Sequence, residues 1–318
     1  MSSLAQSIAR APTLAVLCGL WVATVLGLIV LDPAAFAPST VTTVLQFSTL
    51  LALVALGQSV VILCGGAGID LCVGGTTSLT AVLALLAVKA GLPGVLLPPL
   101  CLVIGGLLGG LNGLLVTRLG ILPLIATLGT FYVYSGLAVA LTNGAAQGGV
   151  PAWLLPWGRG TAGALPLPFL TLAVPAFGAA AVLLGTTSWG RWVYAAGHNE
   201  RSARLVGIDV ARLRTIAYAL SGLLAGAAAL VSLAWLGSGR PNIGQNLELT
   251  SLTAAMLGGI GIFGGRGGVL GVLAAVLLLV TIQTGLLQLN VNSIWQVGIA
   301  GALLIAVLLA DRLSTLPR

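Results

Sequence analysis

The chain has 318 residues, of which only 6% are charged, where a soluble domain carries roughly a quarter. Hydrophobic residues make up 58%, glycine fills 45 positions and mean hydropathy is +1.13, which excludes an ordinary soluble enzyme and fits helices that bury in lipid and pack closely. The net charge of +7 is spread between apolar runs and forms no dense patch with interleaved aromatics, so no nucleic-acid partner is expected.

Charges mark the limits of the spans, because one at the centre of a membrane helix costs about 2.5 to 3.5 kcal/mol. The charge-free runs are 11–31, 33–69, 71–88, 90–117, 119–158, 160–190, 215–239, 249–265 and 267–310. The last is about twice the roughly 20 residues that a crossing needs, and the polar stretch 288–293 divides it. The expected fold is an all-α membrane protein, a polytopic bundle of about ten transmembrane helices with discontinuous Gly-rich segments. Arg10 ahead of an apolar stretch invites a signal-peptide reading, but Leu14 to Leu31 spans 18 residues, longer than the core of about 7 to 15 that such a leader has. It is read as the first span. With the N-terminus inside, Arg10, Arg118, Arg191, Arg201, Arg204, Arg212, Arg214, Arg266, Arg312 and Arg318 face the cytoplasm, and only Lys89, Arg159 and Arg240 face out. The positive-inside rule therefore predicts both termini in the cytoplasm.

Gly65 to Gly75 interrupts two apolar runs with five glycines and one carboxylate, Asp70. Asp70 has two compatible readings: it caps the next span through a backbone N–H, or it stands at a translocation path. Gly258 to Gly268 aligns with this segment without gaps and is identical at six of eleven positions, and Gly-interrupted segments at corresponding places in two halves point to a transport site. Small-xxx-small pairs, among them Gly105 with Gly109, Gly109 with Gly113 and Gly222 with Gly226, predict tight helix contacts inside the bundle or between subunits. Cys18, Cys64, Cys72 and Cys101 form no C-x-x-C pair and read as small packing residues, so no metal site is expected.

The richest polar stretch runs from Thr186 to Arg214, with five arginines against Glu200 and Asp209. Asn199 is placed to N-cap a short helix starting at Glu200, which Gly207 closes after about two turns; a plain loop is the alternative. His198, the only histidine, reads as a solvated loop residue. There is no G-x-x-x-x-G-K-[ST] phosphate loop and no catalytic motif, so no catalytic residue and no cofactor are assigned to this chain, and ATP with its magnesium is left to a partner. Few ionisable groups lie inside the spans, which weakens the competing reading of an ion-coupled secondary transporter needing no ATPase.

The sequence resembles the permease subunits of bacterial ATP-binding-cassette importers for ribose, xylose, galactose and related compounds. The pieces that carry the resemblance are Ala55-Leu56-Gly57-Gln58, Gly68-Ile69-Asp70-Leu71, Leu111-Asn112-Gly113-Leu114, Pro123-Leu124-Ile125-Ala126-Thr127-Leu128-Gly129-Thr130, Tyr194-Ala195-Ala196-Gly197-His198-Asn199, and Gly258-Gly259 through Phe263-Gly264-Gly265-Arg266-Gly267. Cys72 stands where the family usually has Ser. The resemblance implies a single permease domain over 1–318 in the bacterial inner membrane. Its implied partners are a cytoplasmic ATP-binding subunit, an extracytoplasmic solute-binding protein and a second permease subunit, identical or different. It places Asn199, Ala203, Leu205 and Gly207 in an ATPase-coupling segment at about 188–213. Asp70, Asn112, Thr127, Thr130, Gly65 and Gly68 are the polar and glycine groups placed along the path, and the scarcity of fixed charge suits a neutral solute of the pentose, hexose, polyol, nucleoside or autoinducer kind.

The orientation is testable. In a cysteine-free background, single cysteines at Ser202 and Gly160 should label oppositely with an impermeant thiol reagent, Gly160→Cys reacting in intact cells and Ser202→Cys only after lysis. Reaction of Ser202→Cys from outside would reverse the topology.

Overall fold

Helix-forming apolar runs punctuated by Pro and Gly give this computed structural model its element order, which is described for residues 12–31, 38–289, 291–292, 295, 298, 301–302 and 305. The principal helices are α1 (Pro12–Leu31), α2 (Pro38–Leu63), α3 (Val73–Lys89), α4 (Leu97–Thr117), α5 (Pro123–Thr142), the one-turn α6 (Leu155–Arg159), α7 (Val174–Thr186), α8 (Ser188–His198), α9 (Glu200–Leu205), α10 (Val210–Leu236), α11 (Leu247–Leu257) and α12 (Val269–Gln288). A π-helical turn, Phe169–Ala173, leads into α7, and a two-stranded hairpin pairs Thr161 with Pro166 and Ala162 with Leu165. Pro in the first turn starts α4, α5 and α7, where its missing N–H has no partner to lose. Asn143 and Gly237, both left-handed, end α5 and α10.

Among the described residues, six stretches are long and apolar enough to cross a membrane: 40–63, 94–117, 123–142, 169–186, 210–236 and 269–288. Three further apolar helices, Leu17–Val30 within α1, α3 and α11, are shorter. The count of about ten crossings is thus not confirmed among the described residues; around the charge-free run 249–265 the helix is Leu247–Leu257, only 11 residues, and the chain leaves it at Gly258 for the glycine segment. The expected tenth span falls largely outside the described residues, as do both termini.

α2 and α10 form the centre, buried over 83% and 72% of their most apolar windows, whereas α4 and α5 are buried over 22% of theirs. The largest apolar cluster joins α2, α7, α10, α11 and the start of α12. The small-residue pairs meet inside the chain. A Cβ on Gly105 would lie 2.8 Å from the Cα of Gly226, and one on Gly109 would lie 2.8 Å from the Cα of Gly222. Gly113 faces Thr215 in the same way, at 2.9 Å. α4 and α10 thus touch backbone to backbone, and their contact comes from van der Waals packing that any larger side chain would hold apart.

This seam predicts a contrast between neighbouring glycines. Gly109→Ala should destabilise the chain by about 1 to 3 kcal/mol through overpacking. Gly110→Ala, where a Cβ meets nothing nearer than the Ala219 side chain at 3.9 Å, should be neutral or stabilising by about 0.5 to 1 kcal/mol. Thermal unfolding of the two purified variants checks this.

Candidate functional site

The two glycine segments that resemble each other in sequence lie against each other in space. α2 ends at Leu63 and α3 begins at Val73; α11 ends at Leu257 and α12 begins at Val269. Between these helices the backbone turns through Gly65 (φ +71°) on one side and Gly264 (φ +86°) and Gly265 (φ +71°) on the other. A Cβ on Gly264 would sit 2.6 Å from the Cα of Gly65, and a Cβ on Gly65 would sit 2.7 Å from the Cα of Gly197, at the end of α8. The Gly265 N–H donates to the Leu63 carbonyl at 3.1 Å, and the Tyr194 hydroxyl donates to the Gly267 carbonyl at 2.9 Å. Both segments and the end of α8 therefore form one knot of backbone.

Asp70 lies just beyond this knot, 2% exposed. Its Oδ1 accepts the Cys72 N–H at 3.0 Å and its Oδ2 accepts the Ser221 hydroxyl of α10 at 2.8 Å. The capping expectation holds in a modified form, because Cys72 is the N-cap residue of α3 and its side chain makes no cap bond, while Asp70 reaches the N–H from two residues upstream. The neighbouring Ile69 carbonyl receives the Tyr218 hydroxyl at 3.3 Å. Asn112 and Thr130 both stand beside the Cys72 sulfur, so α3, α4 and α5 meet at this point. The Thr127 and Thr130 hydroxyls are engaged with the backbone of α5 itself, at Pro123 (2.8 Å) and Ala126 (3.0 Å). Asn112 is different: it is fully buried and, beyond its approach to the weakly bonding Cys72 sulfur, neither atom of its amide meets a hydrogen-bond partner of good geometry, a state that leaves it the capacity to bind water or a polar ligand.

Gly65 and Gly68 border a separate chamber of about 150 Å³, which Arg214 and Tyr218 of α10 and the 120–123 turn between α4 and α5 complete. The path residues of the sequence reading thus divide into two places: Asp70, Asn112, Thr127 and Thr130 on the bundle side of the glycine turn, and Gly65 with Gly68 at the chamber beside Arg214.

The polar stretch after α7 folds as its capping residues require. Thr187 accepts the Gly190 N–H at 3.2 Å and starts α8; Asn199 Oδ1 accepts the Ser202 N–H at 3.0 Å and starts α9. The helix runs from Glu200 to Leu205, and Gly207 (φ +85°) closes it through the Gly207 N–H to the Arg204 carbonyl at 3.1 Å. The plain-loop alternative is excluded, and His198 is the exposed last residue of α8 instead of a loop residue, since the loop is reduced to Asn199. Ala203 packs inward at 2% exposed, while Leu205 is 82% exposed. Glu200 binds Arg204 at 2.8 Å and Arg214 at 2.6 Å, and the Arg214 guanidinium covers Gly66, where a Cβ would lie 2.9 Å from its Nη1. Burial opposes ionisation of Glu200, but hydrogen bonds and charge from the two arginines overcome it and hold its pKa below the usual carboxylate range.

Sequence reasoning missed Ser221, Tyr218, Arg214 and Glu248. The first two sit in the 215–239 run, where only polar residues at a spacing of three, 218 and 221, hint that one face of α10 meets Asp70. Glu248 was treated as an outer boundary. Instead the chain re-enters the bundle before it, with the Gly244 N–H on the Ser78 hydroxyl at 3.0 Å, and Glu248 Oε2 is buried beside Gly74 without a partner.

Comparison with known proteins now bears on this geometry. Residues 40–308 match the family described as branched-chain amino acid transport system / permease component. The chain belongs to this permease family. It is 35% identical over 289 residues to the ribose import permease protein RbsC of Bacillus subtilis strain 168, covering 89% of this chain and 88% of that one. It is 36% identical over 268 residues to the autoinducer 2 import system permease protein LsrD of Klebsiella pneumoniae, covering 82% and 80%, and 35% identical over 283 residues to LsrD of Yersinia pseudotuberculosis serotype O:1b, covering 85% and 84%. No solved structure matches. The permease is thus a multi-pass membrane transport component and not an enzyme.

The Glu200 strap has a defined pH dependence. A carboxyl held low in the folded chain contributes stability that is complete above its unfolded pKa of about 4.3 and is lost as pH falls through the lower folded value. The Glu200 side chain is 37% exposed, so solvent screening keeps the effect at about 1 kcal/mol or less. Glu200→Gln should therefore unfold slightly below wild type at pH 7, and the gap should close only as pH falls below the unfolded carboxylate value of about 4.3 and through the lower folded one, as read by thermal midpoints across that range.

Proposed function

We propose that this permease forms, with a second permease subunit, the path of an ATP-binding-cassette importer for a neutral, hydroxyl-rich solute of the monosaccharide class. Relatives named for ribose import and autoinducer 2 import support the solute class, as does an interior with few fixed charges, where a hydroxylated solute exchanges water for weak, replaceable hydrogen bonds. Asn112 is the residue best supplied to offer them, since its amide is buried and unpartnered. Selection is left to an extracytoplasmic solute-binding protein. Both termini and the 188–213 segment lie in the cytoplasm of an inner-membrane protein.

The observation that carries the reading is α9. It is capped at both ends, presents Leu205 and Val206 at 82% and 77% exposure, and is tied through Glu200 and Arg214 to the glycine turn at Gly66. A cytoplasmic ATPase that takes Leu205 into an apolar contact pulls on α9. The ion pair and the backbone knot at Gly197 carry that displacement to the ends of α2 and α3, where the chamber and Asp70 lie. ATP and magnesium belong to that partner.

Leu205→Asp places a charge in the proposed apolar contact, and affinity for the ATPase should fall on the order of 100-fold while the permease stays folded in the membrane. In proteoliposomes with both partners, the variant should lose solute-stimulated ATP hydrolysis, and wild type should carry labelled pentoses or hexoses but not a charged amino acid. Full hydrolysis and transport in Leu205→Asp would remove α9 from the coupling; transport of the amino acid alone would overturn the solute class.

A further inference from the structure

Three cations far apart in the chain are drawn together by the fold. Lys89 ends α3, Arg159 ends α6 and Arg240 follows α10, yet all three meet around the turn by which the chain leaves α10. Gln147 and Gly239 pair backbone to backbone in both directions at 2.8 Å, and the Gln147 side-chain carbonyl accepts the Lys89 ammonium at 3.0 Å. Arg159 Nε donates to the Trp235 carbonyl at 2.9 Å, and its guanidinium lies over Gly237, where a Cβ would stand 2.9 Å from it. Arg240 is next to Gly239 in the chain, and its side chain has neither a hydrogen bond nor an ion pair among the described residues. All three cations are exposed.

No carboxylate offsets this cluster among the described residues. Glu200 makes the ion pairs and Asp209 caps α10 at its start, Asp70 is buried, and Glu248 is held beside Gly74. The cluster also stands apart from α9, because α10 has 27 residues, about 40 Å at 1.5 Å per residue, and the Glu200–Arg214 pair is near its first turn while the cations surround its end. α3 and α10 are the helices whose Cys72 N–H and Ser221 hydroxyl hold Asp70, so the cluster sits over the far ends of the helices that hold the proposed site. An apolar border adjoins it. A Cβ on Gly149 would lie 3.7 Å from the Lys89 Cγ, and one on Gly94 would lie 2.8 Å from Pro151, which brings Trp153 and Val95, 52% and 68% exposed, beside the cations.

Like charges anchored to backbone without counter-charge attract a surface of the opposite sign and steer its approach, and Arg and Trp are the residue types that anchor protein interfaces. We propose that this surface docks a soluble protein through a carboxylate-rich face, and that this protein is the one that hands over the solute. The proposal rests on the importer reading above, in which a solute-binding protein makes the selection; it adds the residues that receive that protein and the charge that its docking face carries. Lys89 and Arg240 supply the attraction, Arg159 is fixed by its bond to α10, and Trp153 with Val95 supplies the apolar edge.

The test uses the full-length permease with its ATPase in lipid nanodiscs. Purified solute-binding proteins of the same organism, each loaded with solute, are first assayed for stimulation of ATP hydrolysis, and the one that stimulates wild type becomes the probe. Its association with wild type, followed by surface plasmon resonance, should slow about tenfold between about 50 and 300 mM salt. Arg240→Glu should weaken binding about tenfold or more at the lower salt, chiefly through the association rate, and Lys89→Gln should weaken it about threefold. Among single replacements of the probe's surface carboxylates by Lys, at least one should restore binding to Arg240→Glu. Stimulation of wild type with unchanged affinity in both variants would overturn the docking surface and leave the importer reading standing, whereas no stimulation by any binding protein would overturn that reading and this surface with it. Loss of copurified phosphatidylglycerol in the variants, with affinity for the probe unchanged, would assign the cluster to lipid and overturn the protein as occupant.

Discussion

A broken helix inside a bilayer has no water to satisfy its backbone, so the turns at 64–72 and 258–268 exist only because protein backbone is pressed against them. Gly65, Gly197 and Gly264 make that contact possible, each at a point where a Cβ would overlap another main chain. The Leu63 carbonyl, left over at the end of α2, is taken by the Gly265 N–H. The elements that carry the proposed site are arranged around this knot. The buried carboxylate of Asp70 follows one turn, α12 follows the other, and the third participant is the end of the helix that leads into α9.

The same constraint explains the polarity of the interior. Most buried hydroxyls, such as those of Thr77, Thr127 and Ser59, bond back to their own helix, which costs nothing in tertiary order and leaves no polar group exposed to lipid. Some side chains depart from that economy, the Ser48 and Thr80 hydroxyls among them. Gln58 and Asn112 are fully buried with amides that bond nothing, and Glu248 has one buried oxygen without a partner. Unsatisfied polar groups cost about 1 to 3 kcal/mol each in a folded chain, and this cost is what supports the proposal that water or a passing solute completes the network at Asn112.

Around α9 the logic changes from packing to charge. Glu200 holds two arginines, and the pair it makes with Arg214 is the one that spans elements, from α9 to α10, over the glycine turn. Surface ion pairs contribute little to stability. This one has geometry as its consequence, since it fixes a helix too short to hold its own orientation against the glycine turn at Gly66.

Local chemistry is why so much could be read without coordinates. Asn199, Glu200 and Gly207 specify a capped two-turn helix by short-range hydrogen bonds alone, and the structure has that helix between those residues. Charge spacing gave the helical membrane class for the same reason, because the penalty for a charge in lipid is a property of the residue and not of its neighbours. The number of full crossings was not legible: whether a charge-free run such as 249–265 is one long helix or a short helix and a turn depends on which backbone waits to satisfy the turn. Glu248 reads as a boundary by the residue rule, yet it lies inside because Ser78, 170 positions earlier in the chain, accepts the N–H of Gly244. Likewise Gly105 and Gly222 announced close packing with something; that the something was each other, and not a second copy, is a fact about two helices more than a hundred residues apart. Sequence determined what each segment tolerates by itself, and tertiary contact decided which intolerable groups were made tolerable by a distant partner.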